Sequence, residues 1–240
     1  MTAVAAAAVF LGAALQSATG FGFALVCAPF LFAILGPEQA VTAGVLLGLE
    51  IGLLTLVTER RRPRILTGET AAVVAWSLPG LALGAIALRE LPERVLSALV
   101  ALAVLAALVL RLRFNGRGRA AVNRRWHGPA AGAASGALST STSLSGPPLV
   151  FYLLARGVSP EQMRDTLSAI FVALALLSGP ALVATGTFEV PDGLWLLVAA
   201  SAAGQVLGRR AFAWLGDRHE RAVLIVLALT ALVALGSSAV

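Results

Sequence analysis

The feature that most constrains this chain is a series of long apolar stretches, separated by short breaks that carry charge, proline or glycine. Hydrophobic residues make up 58% of the 240 residues and charged residues only 12%, about half of the charged share of a typical soluble domain. All eighteen basic residues are arginines, and most lie in short runs between apolar stretches, as in the cytoplasmic loops of membrane proteins. The sequence therefore predicts an all-α integral membrane protein.

Composition also excludes several other classes. The single cysteine, Cys27, cannot form an internal disulfide, and we interpret it as a packing residue. The net charge of +6 comes from loop arginines, so no nucleic-acid partner is predicted. No basic residue precedes the first apolar stretch, which favours an uncleaved membrane segment over a signal peptide. His127 and His219 fall in loops, so no metal site and no cofactor is predicted.

The apolar stretches form two sets of five, separated by a polar linker. The first set lies at about 2–18, 22–35, 40–58, 66–88 and 94–111, and the second at about 129–141, 147–155, 163–187, 193–208 and 222–239. A helix needs about 20 apolar residues to cross a hydrocarbon core of ~30 Å, which the third to fifth stretches of each set approach. The first two of each set are shorter and are broken by glycine and proline. They predict re-entrant or broken helical hairpins whose tips lie near the middle of the membrane.

The two sets repeat one another in sequence. Three motifs recur at one spacing of 123 residues: 14–17 with 137–140, Thr19 with Thr142, and 37–39 with 160–162. Two glycines of the fourth stretch recur one residue further along, so that Gly80 and Gly84 correspond to Gly204 and Gly208. A shared spacing across separate motifs indicates an internal duplication. We therefore predict a first membrane repeat over 1–112, a basic cytoplasmic linker over 113–127 and a second membrane repeat over 128–240.

Charge predicts how the two repeats are oriented. The loop between the third and fourth stretches contains four arginines, Arg60, Arg61, Arg62 and Arg64, which indicates a cytoplasmic loop. The equivalent loop of the second repeat, 186–193, carries Glu189 and Asp192 and no basic residue. Equivalent loops on opposite faces predict two inverted repeats, each a hairpin followed by three transmembrane helices, as in many secondary transporters. The alternative is a parallel repeat with four full spans in each half.

Two breaks rich in small residues interrupt the hairpins. The first is Gly20-Phe21-Gly22, and the second, over 139–148, combines serines and threonines with Gly-Pro-Pro. Glycine permits backbone conformations closed to other residues, and proline suits the first turn of a helix. Each break is predicted to start a half-helix in mid-membrane, where unpaired N–H groups favour a small anion. The alternative is that small residues only allow close helix packing, which we favour for the four repeated glycines.

The predicted substrate-binding residues cluster at these two breaks. They are Gln16, Thr19, Gly20, Phe21, Gly22, Ser141, Thr142, Ser143, Ser145, Gly146 and Arg164. The hydroxyl side chains would donate hydrogen bonds, Gln16 would donate through its amide, and Arg164 would pair with the anion. A structural alternative for Arg164 is an ion pair with Glu161 or Asp165.

One acidic residue, Glu50, lies well inside an apolar stretch. A carboxyl group within the membrane is costly and is a functional hypothesis by default, so Glu50 is a candidate for proton coupling. The alternative is a carboxyl that is hydrogen-bonded to a neighbouring helix. No catalytic residue is predicted, since a serine nucleophile near Ser143 needs a general base and no histidine lies in a predicted membrane segment.

The breaks resemble the sulfite exporter TauE/SafE family. The resemblance rests on ATGFGFAL at 18–25, followed by Pro29, and on SGPPLV at 145–150, and it covers nearly the whole chain. It implies transport of small sulfur-containing anions such as sulfite or sulfonates, or of other organic anions, across the plasma membrane. Many relatives carry a glycine triplet at both breaks, whereas the second break here reads SLSG at 143–146. This departure bears on the particular substrate more than on transport.

The predicted function is secondary transport of a small anion, with protons as the candidate coupling ion. A passive anion channel and a non-transporting membrane subunit are the alternatives. The linker arginines, among them Arg117, Arg119, Arg124 and Arg125, would then dock a partner or anionic lipid rather than only set topology. The direction of transport and the oligomeric state are left open.

Overall fold

The computed structural model describes residues 2–58, 62–113 and 127–215. Over these ranges the regular secondary structure is all α-helix, with nine helices and no strand. The helices are α1 Thr2–Thr19, α2 Phe23–Leu35, α3 Pro37–Thr58, α4 Thr67–Glu90, α5 Glu93–Arg113, α6 His127–Thr142, α7 Gly146–Ala155, α8 Pro160–Thr185 and α9 Leu194–Leu215. The all-α prediction is confirmed for this part of the chain. The predicted last stretch (222–239), His219 and the linker arginines lie outside the described residues.

Helix lengths separate spanning helices from shorter ones. Three helices within the described ranges are long and apolar enough to cross a membrane, namely Pro37–Thr58, Thr67–Glu90 and Glu161–Thr185. At 1.5 Å per residue each exceeds the ~30 Å hydrocarbon core. The 10 residues of α7 and the 13 of α2 reach only about 15 and 20 Å, as predicted. The 16 residues of α6 begin two positions before the predicted stretch.

Glycine, serine and proline define where the third helix of each half begins. Gly36 adopts a φ of 79° at the end of α2, and Pro37 is the first residue of α3. Ser159 caps α8, because its hydroxyl accepts the N–H of Gln162 at 3.3 Å. Proline suits the first helical position, where its missing N–H has no intrahelical partner to lose. The repeated Pro-Glu-Gln motif therefore marks a helix start in both halves.

The repeated glycines bring helices of different halves into backbone contact. A Cβ at Gly80 or Gly84 of α4 would collide with the carbonyl oxygen of Ala133 or Ala137 on α6. In the same way, Gly204 and Gly208 of α9 lie against the backbone of α1. This is the packing role predicted for the four glycines, and small residues at such contacts are typical of helices in membranes.

The third helices of the two halves, α3 and α8, run antiparallel. The side-chain amide of Gln39, near the start of α3, donates to Glu189, which follows the end of α8, at 2.7 Å. At the other end, the N–H of Arg64, which follows α3, donates to Asp165 near the start of α8 at 2.7 Å. The first helix of each half contacts the fourth helix of the other, and α3 contacts α8. These three contacts are therefore preserved when the two halves are exchanged.

Candidate anion-binding site

A cavity of about 50 Å³ lies where the two hairpins meet, and we call it the central cavity. Residues 21–25 of the first hairpin and 143–147 of the second line it together. Its wall also includes Gly44, Val45 and Gly48 of α3 and three apolar residues of α8. The volume is several times the ~10–15 Å³ needed for one water molecule, so the central cavity has room for a small polyatomic ion.

Six of the predicted substrate-binding residues line the central cavity. These are Gln16, Phe21, Gly22, Ser143, Ser145 and Gly146. Gly20, Ser141, Thr142 and Arg164 do not line it, and Thr19 ends α1 with its side chain outside the described part of the structure. The prediction missed Ser139 and the α3 glycines, Gly44 and Gly48. The only sequence signal for the two glycines is their spacing of four residues, which puts them on one face of a helix. Ser139 is part of the polar run over 139–148 that forms the second break.

The first break is held by Gln16. The N–H of Gly20 donates to the Gln16 carbonyl at 2.8 Å, which ends α1, and Gly20 and Gly22 adopt φ angles of 81° and 110°. The N–H of Phe23, the first residue of α2, donates to Gln16 Oε1 at 3.1 Å. Gln16 is 7% exposed and lines the central cavity. Because its amide oxygen is already used, the amide NH₂ is the group that Gln16 offers to a ligand.

The second break is held in a strained conformation at Ser143. Its φ of 59° is the only positive value at a non-glycine position among the described residues, and this conformation costs about 1–2 kcal/mol for an L-residue. The Ser143 Oγ atom is buried and has no hydrogen-bond partner. A Cβ at Gly44 would lie 2.5 Å from it, so the hydroxyl fits against α3 only because residue 44 is glycine. An unpaired buried hydroxyl in the cavity wall is a candidate ligand donor.

The two breaks offer different donors. The first three residues of α2, Phe23–Leu25, all carry an N–H group, whereas α7 begins with Gly146 followed by two prolines. Proline has no N–H, and the Phe23 N–H is already donated to Gln16, so the start of α7 presents one such group where α2 presents two, those of Ala24 and Leu25. The first break is therefore the richer in backbone amides, and the second contributes the Ser143 hydroxyl.

Several predicted hydroxyl donors are engaged within their own helix. Ser141 Oγ donates to the Ala137 carbonyl at 2.7 Å, and Thr142 Oγ1 donates to the Leu138 carbonyl at 2.9 Å. Such bonds to the carbonyl four residues earlier are common for serine and threonine inside helices. They direct both hydroxyls to the α6 backbone instead of the central cavity. Ser141 and Thr142 therefore contribute to the structure of α6 as described, and the binding role predicted for them stays a prediction.

Arg164 and Gly20 lie next to the first break but outside the cavity wall. A Cβ at Gly20 would be 2.9 Å from Arg164 Cγ, so the stem of Arg164 packs directly on the glycine. The two acidic residues considered as its partners also contact the α3–α4 loop: Glu161 forms an ion pair with Arg64 at 3.4 Å, and Asp165 accepts the Arg64 N–H. Arg164 thus supports the first break from α8.

Glu50 lies on the side of α3 that faces α9. Its carboxyl group is beside the Ser201 hydroxyl, yet Glu50 Oε2 and Ser201 Oγ are both buried without a partner in hydrogen-bonding geometry. One residue further along, the Ile51 carbonyl accepts the side-chain amide of Gln205 at 3.0 Å. Glu50 does not line the central cavity, so a proton on Glu50 can act on the site only indirectly, through α3 or its contact with α9.

Two sets of hydrogen bonds close the ends of the α3–α8 pair. In the Arg64 latch, the N–H groups of Arg64 and Leu66 donate to Asp165 and Thr166 at 2.7 and 3.2 Å. In the Glu189 latch, the Glu189 N–H donates to Thr42 at 3.1 Å and its carboxylate accepts from Gln39. Thr42 and Asp165 are separated by 123 residues, the repeat spacing, so equivalent positions hold the equivalent loop of the other half.

Comparison with known proteins gives one match. The model of a family described as "Sulfite exporter TauE/SafE" matches residues 4–235, a range that includes both breaks and every residue of the cavity wall. Neither the curated proteins nor the solved structures contain a match. Within residues 2–58, 62–113 and 127–215, no group of three or more His, Cys, Asp or Glu side chains is placed to hold a metal ion.

Proposed function

Because the chain belongs to the sulfite exporter TauE/SafE family, whose members are membrane transporters of sulfur-containing anions, we propose that it is a multi-pass secondary transporter of the plasma membrane. Its substrate in this proposal is a small anion, sulfite or a related sulfur-containing or organic anion. The observation that carries the proposal is the central cavity, where two helix breaks 123 residues apart contribute donors to a single site.

The transporter consists of two inverted repeats in this proposal, over 1–112 and 128–240, joined by a basic linker. The antiparallel course of α3 and α8 supports inversion, because equivalent helices of a parallel repeat would run in the same direction. The exchange of first and fourth helices between halves supports a two-fold relation. Arg62 and Arg64 support a cytoplasmic location for the Arg64 latch, and in this proposal the Glu189 latch lies on the opposite face.

The anion is held by neutral donors in this proposal. The Gln16 amide, the Ser143 hydroxyl and the N–H groups at the start of α2 would converge on it, with the positive end of the α2 dipole behind them. A hydrogen bond to a charged group contributes about 1.5–3 kcal/mol. Three such bonds supply about 4.5–9 kcal/mol against an association cost of about 4 kcal/mol or more, so binding no tighter than roughly 0.2 mM is expected.

Transport would proceed by rocking of the two halves about the central cavity. Opening to the cytoplasm separates Arg64 and Leu66 from α8, and opening to the other face separates Glu189 from α3. Export of a monovalent anion from a negative-inside cell gains about 2.3 kcal/mol per 100 mV and needs no coupling ion. Import against the same field needs one, and Glu50 is our candidate for carrying the proton.

The proposal is tested by the flux of labelled sulfite in proteoliposomes. A Gly44→Ala change places a Cβ 2.5 Å from the Ser143 hydroxyl and must displace it. Loss of one bond of about 1.5–3 kcal/mol predicts roughly a ten- to hundredfold fall in kcat/KM. The matched control is Gly179→Ala, because a Cβ there meets no atom within 4 Å. Flux that saturates with sulfite distinguishes a carrier from a channel, and wild-type flux in a folded Gly44→Ala protein would refute the site.

A further inference from the structure

The central cavity presents only neutral groups to a ligand. Among the residues that the structure describes, no charged side chain lines it. Its polar side chains are the Gln16 amide and the hydroxyls of Ser139, Ser143 and Ser145. Ser139 is hydrogen-bonded to Ser178 at 3.0 Å, whereas the Ser143 hydroxyl has no partner and the Gln16 NH₂ remains available. Charge compensation within the cavity wall therefore comes from dipoles alone.

Neutral dipoles do not compensate one and two charges equally well. The cost of moving an ion out of water rises with the square of its charge, and even for one charge it amounts to several kcal/mol in a protein. The attraction between a fixed dipole and an ion rises only in proportion to the charge. Doubling the charge of the ion therefore multiplies the free-energy cost of leaving water by four, but it multiplies the attraction to the dipoles by only two. A site that binds a monoanion with a small net gain rejects a dianion of the same size.

We infer that the central cavity selects singly charged oxyanions over doubly charged ones of equal size. This deepens the proposed function, on which it rests, by naming the charge class of the substrate. For sulfite, whose two forms interconvert near neutral pH, the bound form is hydrogen sulfite. The proton of that ion also has an acceptor available, because a serine hydroxyl both donates and accepts.

The experiment compares two anions of nearly the same size at one pH. Methanesulfonate and sulfate each have five non-hydrogen atoms, a sulfur and the four atoms bonded to it tetrahedrally, and they carry one and two charges respectively. Thermal unfolding of the purified protein is followed while each anion is titrated, since ligand binding stabilises the folded state. Sulfate also stabilises proteins by exclusion from their surfaces. The shift measured in Gly44→Leu, whose side chain would collide with Ser143 in the cavity wall, is therefore subtracted.

The inference predicts a half-saturating concentration for methanesulfonate at least about tenfold below that for sulfate, which corresponds to about 1.4 kcal/mol. Equal stabilisation by both anions, or stabilisation by neither, would overturn it. Selective binding without sulfite flux in proteoliposomes would instead refute the proposed transport function and leave the selectivity intact.

A cation introduced into the cavity wall provides a second test. Gly48 lines the central cavity, and a Cβ there meets no atom within 4 Å. Gly48→Arg is expected to bring the half-saturating concentration of sulfate close to that of methanesulfonate, because the added charge compensates the second charge of sulfate. Gly48→Gln adds a polar side chain without charge and is expected to keep the preference for methanesulfonate. If sulfate gains no affinity in a folded Gly48→Arg protein, the electrostatic reasoning is wrong.

Discussion

Removing one latch should favour the conformation that is open to the cytoplasm, and removing the other should favour the conformation that is open to the opposite face of the membrane. Thr42→Val removes the acceptor of the Glu189 N–H, which is a neutral hydrogen bond of 3.1 Å. Asp165→Ala removes a charged acceptor from the Arg64 N–H, at 2.7 Å. Neutral bonds contribute about 0.5–1.5 kcal/mol and bonds to charged groups about 1.5–3 kcal/mol. At 1.4 kcal/mol per tenfold, the open population should rise about 2- to 12-fold for Thr42→Val and about 12- to 140-fold for Asp165→Ala.

A single reporter in the central cavity can measure both effects. Val45 lines the cavity and is 6% exposed, and replacing the only cysteine by Cys27→Ser leaves a Val45→Cys thiol as the sole target. A membrane-impermeant maleimide is added from either side of sealed vesicles. Asp165→Ala should accelerate labelling from the cytoplasmic side, and Thr42→Val should accelerate it from the other side.

The controls keep the acceptor and change little else. Thr42→Ser retains the hydroxyl, and Asp165→Asn retains a side-chain oxygen that can accept the Arg64 N–H. Both are expected to label more slowly than Thr42→Val and Asp165→Ala, respectively. If both acceptor-deleting variants accelerate labelling from the same side, or neither changes it, the latches do not control access and the rocking proposal fails.

Three further outcomes follow from the geometry. Ser143→Gly should raise the Tm, because it relieves about 1–2 kcal/mol of strain in the left-handed backbone conformation. Sulfite flux should fall because the hydroxyl is lost, and unchanged flux would exclude Ser143 from the site. Gly84→Leu should reduce the folded yield, measured by size-exclusion profile, because the side chain meets the α6 backbone, whereas Gly179→Leu should not. Glu50→Gln should flatten the pH dependence of transport if Glu50 carries the coupling proton, and an unchanged pH profile would remove it from the mechanism.

The hairpins and their breaks could be predicted from sequence because the signals are local. Helix α2 is short because Gly22 and Gly36 lie close together on either side of it. Helix α7 is short because Pro147 marks its start and polar residues follow Ala155. Proline and glycine restrict or free the backbone wherever they occur, so the positions of the breaks depend little on the rest of the fold.

The donors within the site could not be predicted in the same way. Ser141 and Ser143 are two residues apart in one polar run, yet only Ser143 lines the central cavity. The difference arises because Ser141 is still within α6 and bonds to its backbone, whereas Ser143 lies past the helix end in a left-handed conformation. The last helical residue is the least certain feature of any sequence-based assignment. Gly44 was missed because its role depends on a residue of the other half.

The proposed duplication would account for both the position of the proposed site and its lack of symmetry. Two copies of a broken hairpin, each packed through its first helix against the other half, bring two helix starts to one point. If the copies had stayed identical, the central cavity would present the same donors from both sides. Instead Pro147 and Pro148 remove N–H groups from one side, and Ser143 adds a hydroxyl where the other copy has Gly20. In the proposed site an anion would therefore meet amides from one half and a hydroxyl from the other, so that neither half would form the site alone.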